Sequence, residues 1–372
     1  MFPFSVQTFK GLEELCAMEL EDMGAQQVKP ANRAVTFMGD DALVYRANLE
    51  LRTGLRVLQP ILTFRFASQD EYYRKLYEFD WTRWFKRTQS FVIDGSVRSR
   101  VFSNSNFAKL KLKDAVVDCF RDRVGKRPDV DTEDADIHIF VLVQENTCRL
   151  YINTSGEPLF KRGYREPGHP ATLNENIAAA LVYLSGWDGR STLLDLFCGS
   201  GTILVEAAEM QARKAAGLDR TFSFINHKFF DREIWKAMVE GAHEEVTSVA
   251  KPTIFGSDHS HRFIDIAKQQ TRNAGLDSIR YKVADFREVM PPTPTGTIIS
   301  NLPYGERLQE NDDLELLYHE LGKHLKSHFK GWTAWFLSSD LKLLKKLGMS
   351  PSERHTLMNG SLEVRFQKYE IY

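Results

Sequence analysis

The alternation of apolar and polar positions divides this chain into three stretches of different character. Between Gly11 and Met23, Leu12, Leu15, Cys16, Met18 and Leu20 fall at helical spacing and stop before Gly24, where a C-terminal cap is expected. A short strand over Phe4–Thr8 precedes this helix. A hairpin of Val28–Pro30 with Ala34–Met38, a helix over Asp40–Leu51 and a strand over Gly54–Phe66 follow it. The order β-α-β-β-α-β predicts a ferredoxin-like unit for residues 1–66. Residues 67–155 predict a second α+β unit. It comprises a helix over Asp70–Tyr77, a strand over Ser90–Val97, a long helix over Asn106–Val124, and a hairpin of Ile137–Gln144 with Cys148–Asn153 turning near Glu145-Asn146.

The Gly- and Pro-rich stretch Thr154–Pro170 reads as a connector. With a helix over Thr172–Ser185 it forms a link spanning 156–190. From Thr192 onward apolar runs alternate with helical patterns, as in a doubly wound parallel sheet. Its strands are expected at Leu193–Phe197, Thr253–Asp258, Ile279–Ala284, Thr297–Asn301 and Thr333–Ser338. Asn359-Gly360 between two apolar-rich runs is a strong hairpin signal. A closing antiparallel hairpin on a parallel sheet separates residues 191–372 from a plain dinucleotide-binding unit.

Composition changes this picture little. The formal net charge of -1 over 372 residues is uninformative, but Arg83 to Arg127 holds twelve Lys/Arg against four Asp/Glu. That segment suits a phosphate backbone, and Lys109, Lys111, Lys113, Arg121 and Arg123 on its helix are the candidate RNA contacts. Cys16, Cys119, Cys148 and Cys198 form no CxxC pair, which fits a reducing cytosol and points to neither zinc nor disulfides. The first residues lack the pattern of a signal peptide, and no run reaches the ~18 apolar residues of a membrane span. A cytoplasmic protein without a metal site is expected. His324 and His328 are four apart on one helix but lack further partners for ligation.

Two strings carry the chemistry. In Leu193-Leu194-Asp195-Leu196-Phe197-Cys198-Gly199-Ser200-Gly201-Thr202 an apolar strand runs into a glycine turn and then a helix. Gly199 and Gly201 let backbone approach a ligand, and the helix starting at Thr202 presents free N–H groups that suit a carboxylate. No lysine follows, so this is not a phosphate loop. Asp195 can accept from a ligand ammonium, Asp258 at the next strand end can hold a ribose diol, and Asp285 can accept from an adenine amine with Phe286 flanking the ring. In Asn301-Leu302-Pro303-Tyr304, an amide, a stiffened turn and an aromatic ring end a further strand. An amide oxygen and a backbone carbonyl beside Pro303 can accept the two protons of an exocyclic base amine while Tyr304 stacks on the base.

These strings, with TSGEPLFKRGYR upstream and the MNGSLEVRF hairpin, resemble the THUMP-containing class I RNA methyltransferases, nearest to the bacterial enzymes that form N2-methylguanine in large-subunit rRNA. The resemblance implies an α/β protein with a Rossmann-like class I sheet and terminal hairpin, preceded by ferredoxin-like and THUMP modules. It implies S-adenosylmethionine held by Asp195, Phe197, Gly199, Gly201, Thr202, Asp258, Asp285, Phe286 and Asn301. Asn301, Pro303 and Tyr304 would stand at the target amine, and RNA would be the partner. Members usually carry a second proline where this chain has Leu302, and NLPY also occurs in rRNA adenine dimethyltransferases; Gly305-Glu306-Arg307 favours guanine. A tRNA guanine-N2 enzyme, an adenine-N6 enzyme and a non-catalytic assembly factor are the alternatives.

Overall fold

The computed structural model describes residues 1–166, 173–248, 253–304 and 311–372, with the backbone alone at 311–313. The N-terminal elements are β1 (Phe2–Thr8), α1 (Glu13–Asp22), β2 (Gln26–Ala31), β3 (Ala34–Gly39), α2 (Asp41–Glu50) and β4 (Gly54–Arg65). They follow the expected order. Asp40 caps α2 by accepting from the Leu43 N–H at 2.9 Å, which is why the helix starts there. The next elements are α3 (Gln69–Glu78), β5 (Phe91–Arg98), α4 (Ser105–Val124), β6 (Ile137–Gln144) and β7 (Thr147–Asn153).

These two units share one sheet. Its strand order is β2-β3-β1-β4-β7-β6-β5, so β4 pairs with β1 over Gly54–Leu58 and with β7 over Leu58–Arg65. A register shift falls between Pro60 and Leu62 in the β7 pairing. A boundary at residue 66 therefore cuts the chain at the end of a strand that serves both units.

The remaining elements are α5 (Glu175–Ser185), β8 (Leu193–Asp195), α6 (Thr202–Gln211), α7 (Arg232–Glu245), β9 (Ile254–Asp258), α8 (His261–Asn273), β10 (Ile279–Val283), β11 (Thr297–Asn301), α9 (Asn311–His328), β12 (Thr333–Ser338), α10 (Leu341–Lys346), β13 (Glu353–Asn359) and β14 (Leu362–Glu370). Their sheet runs β10-β9-β8-β11-β12-β14-β13, parallel through β12, with β14 antiparallel between β12 and β13. The order reverses between β8 and β11. A crevice beyond the strand ends at such a switch point is where doubly wound sheets take ligands.

The structure corrects several boundaries. β8 ends at Asp195, not Phe197, because the next two N–H groups leave the ladder: Leu196 donates to Ser300 Oγ at 3.0 Å and Phe197 to Asp195 Oδ1 at 3.0 Å. The helix expected from Thr172 begins at Glu175, capped by Asn174; Thr172 itself lies outside the described residues. A larger departure is the excursion between α6 and β9. Phe222, Phe224, Phe230, Trp235 and Met238 join the N-terminal core, with the Phe224 ring stacked on Tyr45 at 4.7 Å. The catalytic half and the N-terminal half therefore share a core. No helix among the described residues is long and apolar enough to cross a membrane.

Candidate active site

The ends of β8, β9, β10 and β11 converge on the switch point. After β8, the Cys198 N–H donates to the Ser257 carbonyl at 2.9 Å and the Gly199 N–H to Asp258 Oδ2 at 3.0 Å, so the glycine turn is pinned to β9. Gly199 (φ 52°) and Gly201 (φ 81°) are left-handed. A Cβ on Gly199 would meet nothing within 4 Å, so its backbone faces open space. A Cβ on Gly201 would fall 2.8 Å from the Tyr281 hydroxyl, so that glycine is needed to seat the turn against β10 and α8. One glycine leaves its backbone open to the crevice and the other serves the packing.

Asp195 is 1 % exposed. Burial pushes its carboxyl up to about 7, helped by the nearby Asp258 charge and opposed by bonds from Ser300 and the Phe197 N–H. Asp258, also buried, bonds the Ser260 N–H with one oxygen and Gly199 with the other. Asp285 sits at the mouth. Its oxygens take Nε and Nη2 of Arg287 at 2.7 and 2.8 Å, and this pairing holds its carboxyl down at about 2. The sequence reading did not foresee this occupant. Phe286 is mostly buried against Phe197, ring centroids 5.3 Å apart, so it backs the site rather than projecting into it. Thr202 is buried, its hydroxyl accepting from Arg165 Nη2 at 3.2 Å, which leaves its backbone N–H as the group to offer.

Asn301 ends β11, and its Oδ1 is buried without a hydrogen-bond partner. Leaving such an oxygen unmatched costs about 1–3 kcal/mol, the mark of an acceptor kept for a ligand. Leu302 is buried in the adjoining core and donates its N–H to the Leu337 carbonyl at 3.1 Å. Its side chain does not face the crevice, so leucine serves there. The Pro303 carbonyl accepts from the Tyr318 hydroxyl at 3.0 Å, and Tyr304 packs half-buried against the α5–α6 core. Gly305, Glu306 and Arg307 lie outside the described residues. Ser300, Tyr318, Arg287 and Arg165 are the supporting residues that sequence reasoning missed. Ser300 stood beside Asn301 in the motif, whereas nothing local marked the other three.

The α4 cations are not gathered on one free face. Lys109 lies 3.7 Å from Asp94, and Lys111 sits over the Tyr73 and Phe107 rings. Lys113 pairs with Asp114, Arg121 with Asp118 and Arg123 with Asp80. Among the described residues no group of three or more His, Cys, Asp or Glu is placed to hold a metal. The four cysteines are buried thiols.

The open Gly199 backbone and the unmatched Asn301 oxygen fit a small ligand on β8 and β9 and an amine at β11. Comparison with known proteins agrees with this geometry. Residues 162–368 match the RMKL-like methyltransferase domain, 66–153 the THUMP domain and 4–58 the RlmL ferredoxin-like domain. The chain is 35% identical over 372 residues, 100% of this chain and 97% of the relative, to the Synechocystis sp. protein named "Putative RNA methyltransferase slr0064". It is 37% identical to the ribosomal RNA large subunit methyltransferase K/L of Shewanella baltica and spans 53% of that protein. The crystal structure of SMU.472 with SAH superposes with a TM-score of 0.90 at 27% identity, covering 100% of this chain and 98% of that one. The chain belongs to the RMKL-like methyltransferase family, with a ferredoxin-like unit and a THUMP domain ahead of a Rossmann-like catalytic sheet and S-adenosylmethionine as its methyl donor.

Proposed function

We propose that this protein methylates the exocyclic N2 amine of a guanine in 23S rRNA. The observation that carries the reading is the buried, unpartnered Oδ1 of Asn301 at the end of β11. The name of the Shewanella relatives and the THUMP match support rRNA as the substrate. When bound, S-adenosylmethionine supplies an electrophilic methyl on a sulfonium, a good leaving group. The backbone at Gly199, Gly201 and Thr202 would hold its methionine end and Asp195 would lie beneath the ammonium. Asp258 would take the ribose, and Asp285 with Phe286 and Phe197 the adenine.

An amine conjugated to a base is a poor nucleophile because its lone pair is delocalised. Accepting its two N–H bonds draws the nitrogen toward tetrahedral geometry and localises that pair. Asn301 Oδ1 supplies one acceptor. Tyr318 occupies the Pro303 carbonyl, so the Leu302 carbonyl is the second. Tyr304 stacks on the extruded base, and alignment with these fixed dipoles supplies the rate enhancement. The α4 cations would add phosphate contacts by giving up their present partners.

The deciding experiment is mass spectrometry of nucleosides from 23S rRNA and tRNA, each incubated with pure protein and labelled S-adenosylmethionine. Labelled N2-methylguanosine in 23S rRNA is the expected result. Label in tRNA alone or in N6-methyladenosine would replace the substrate or the base. Cofactor binding without label in any RNA would favour an assembly role.

A further inference from the structure

Lys10, Lys29 and Arg33 are exposed, and no ion-pair partner holds their side chains among the described residues. The cations of α4, by contrast, are each engaged. Lys10 and Arg33 stand on two adjoining loops, and Lys29 lies on β2, paired with Thr36 of β3. The Gly11 N–H donates to Glu13 Oε2 at 2.6 Å and the Arg33 N–H to Glu13 Oε1 at 2.9 Å, so one carboxylate clamps the β1–α1 loop to the β2–β3 turn. The Thr8 N–H also donates to the Arg33 carbonyl at 3.1 Å. Glu13 is thereby spent on backbone donors, and the neighbouring positive side chains are left facing solvent.

The register of the catalytic sheet locates these loops. Asn301 pairs with Leu337, Leu337 with Phe366, and Phe366 with His355, so these four residues form one row across β11, β12, β14 and β13. Thr356 stands one residue beyond that row toward the hairpin turn. Gly11 (φ 94°) abuts it, since a Cβ there would fall 2.7 Å from the Thr356 carbonyl. Three strand spacings of about 4.8 Å put β13 roughly 14 Å from Asn301 along the same sheet edge, and the loop lies against it, within reach of a strand of a few nucleotides. Leu12 and Leu357 share an apolar cluster against which Tyr304 also packs, which fixes the loop to the catalytic domain.

We infer that Lys10, Lys29 and Arg33 form the phosphate-contacting surface for the RNA strand leading to the target base. This rests on RNA being the substrate. The surface belongs to the ferredoxin-like unit and is docked beside the site, so the strand is held where the base must enter.

The test compares the wild type with K10Q/K29Q/R33Q and with the charge-retaining K10R/K29R/R33K, using an unmodified 23S rRNA transcript. Affinity is measured against salt, and methyl transfer at varied RNA. Losing three phosphate contacts should flatten the log–log salt slope by about 2–3 and raise the KM for RNA about tenfold or more. The kcat at saturating RNA and the affinity for S-adenosylmethionine should be unchanged, and the charge-retaining variant should behave as wild type. A slope and KM unchanged in K10Q/K29Q/R33Q would overturn the inference. The slope needs no methyl transfer, so it decides the surface even if the transcript goes unlabelled, an outcome that would sink only the assigned reaction. A wild type that fails to bind the transcript would overturn both.

Discussion

The hydroxyl of Tyr318 donates to the carbonyl of Pro303 at 3.0 Å and accepts from the Ser338 hydroxyl at 3.1 Å, tying α9 to the turn that follows Asn301. Tyr318 is fully buried. Tyr318→Phe leaves the Pro303 carbonyl unmatched without opening a cavity. It should cost about 1–3 kcal/mol of stability and lower kcat about tenfold as the turn loosens. The affinity for S-adenosylmethionine should hold. Thermal unfolding and single-turnover kinetics check both halves.

On the proposed reading, Asn301→Ala removes an acceptor whose bond is made only when the amine is present. Turnover should fall by about 10²–10³, the scale seen when one fixed dipole is deleted at a reacting centre, while cofactor affinity stays near wild type. Full turnover in this variant would remove Asn301 from the chemistry.

Asp258 and Asp285 should differ as cofactor contacts. Asp258→Ala loses the anchor of the Gly199 N–H together with the proposed ribose acceptor, and should weaken binding by about 1–3 kcal/mol. Asp285 has both oxygens on Arg287, so Asp285→Ala should cost less. Calorimetric titration of each variant with S-adenosylmethionine makes the comparison, and equal losses would refute it.

Asp195 should link cofactor binding to pH. Its carboxyl is raised from 3.8 to about 7 in the fold, so its contribution to stability is full below pH 4 and is lost as pH rises through about 7. A ligand ammonium nearby would pull the carboxyl back down. Binding near pH 6 should then release close to one proton, and affinity should climb with pH up to about 7. Titrations in buffers of different ionisation heat measure the release, and Asp195→Asn should abolish it.

Arg52 enters α6 from the N-terminal unit, 3.1 Å from Glu206 and 3.2 Å from Glu209, all three buried. Burial lowers the Arg52 pKa, but the two carboxylates more than reverse this. Arg162 and Tyr164 complete the cluster on Glu206. Arg52→Met strands a buried charge and should cost about 3–5 kcal/mol. Glu209 is already raised, chiefly by burial, and would rise further. A raised carboxyl contributes stability at low pH and loses it as pH rises, so the deficit against wild type should shrink from pH 8 to pH 5. Melting temperatures across that range test this, and a constant deficit would argue against the charge.

Much of the site was legible because its signals are local. Gly199 and Gly201 mark a turn that needs positive φ, Asp258 closes β9 and Asp285 follows two residues after β10, and Asn359-Gly360 marks the hairpin. What escaped reading depends on residues far apart in sequence. Tyr318 gave no hint of Pro303, nor Arg52 of Glu206. The α4 cations read as candidate RNA contacts, and only the structure gave each its present partner, whereas Lys10, Lys29 and Arg33 are too scattered to register as a run.

The sequence by itself determined the elements, the glycine turn, the strand-end carboxylates and the amide of β11, since backbone preference and apolar periodicity act over a few residues. Only the tertiary structure decided that β4 joins two units in one sheet and that the aromatic excursion at 222–238 completes the N-terminal core. It alone decided which charges are paired and which stay free. Those outcomes turn on long-range packing and on desolvation, which depend on what a side chain meets across the fold and not on its neighbours along the chain.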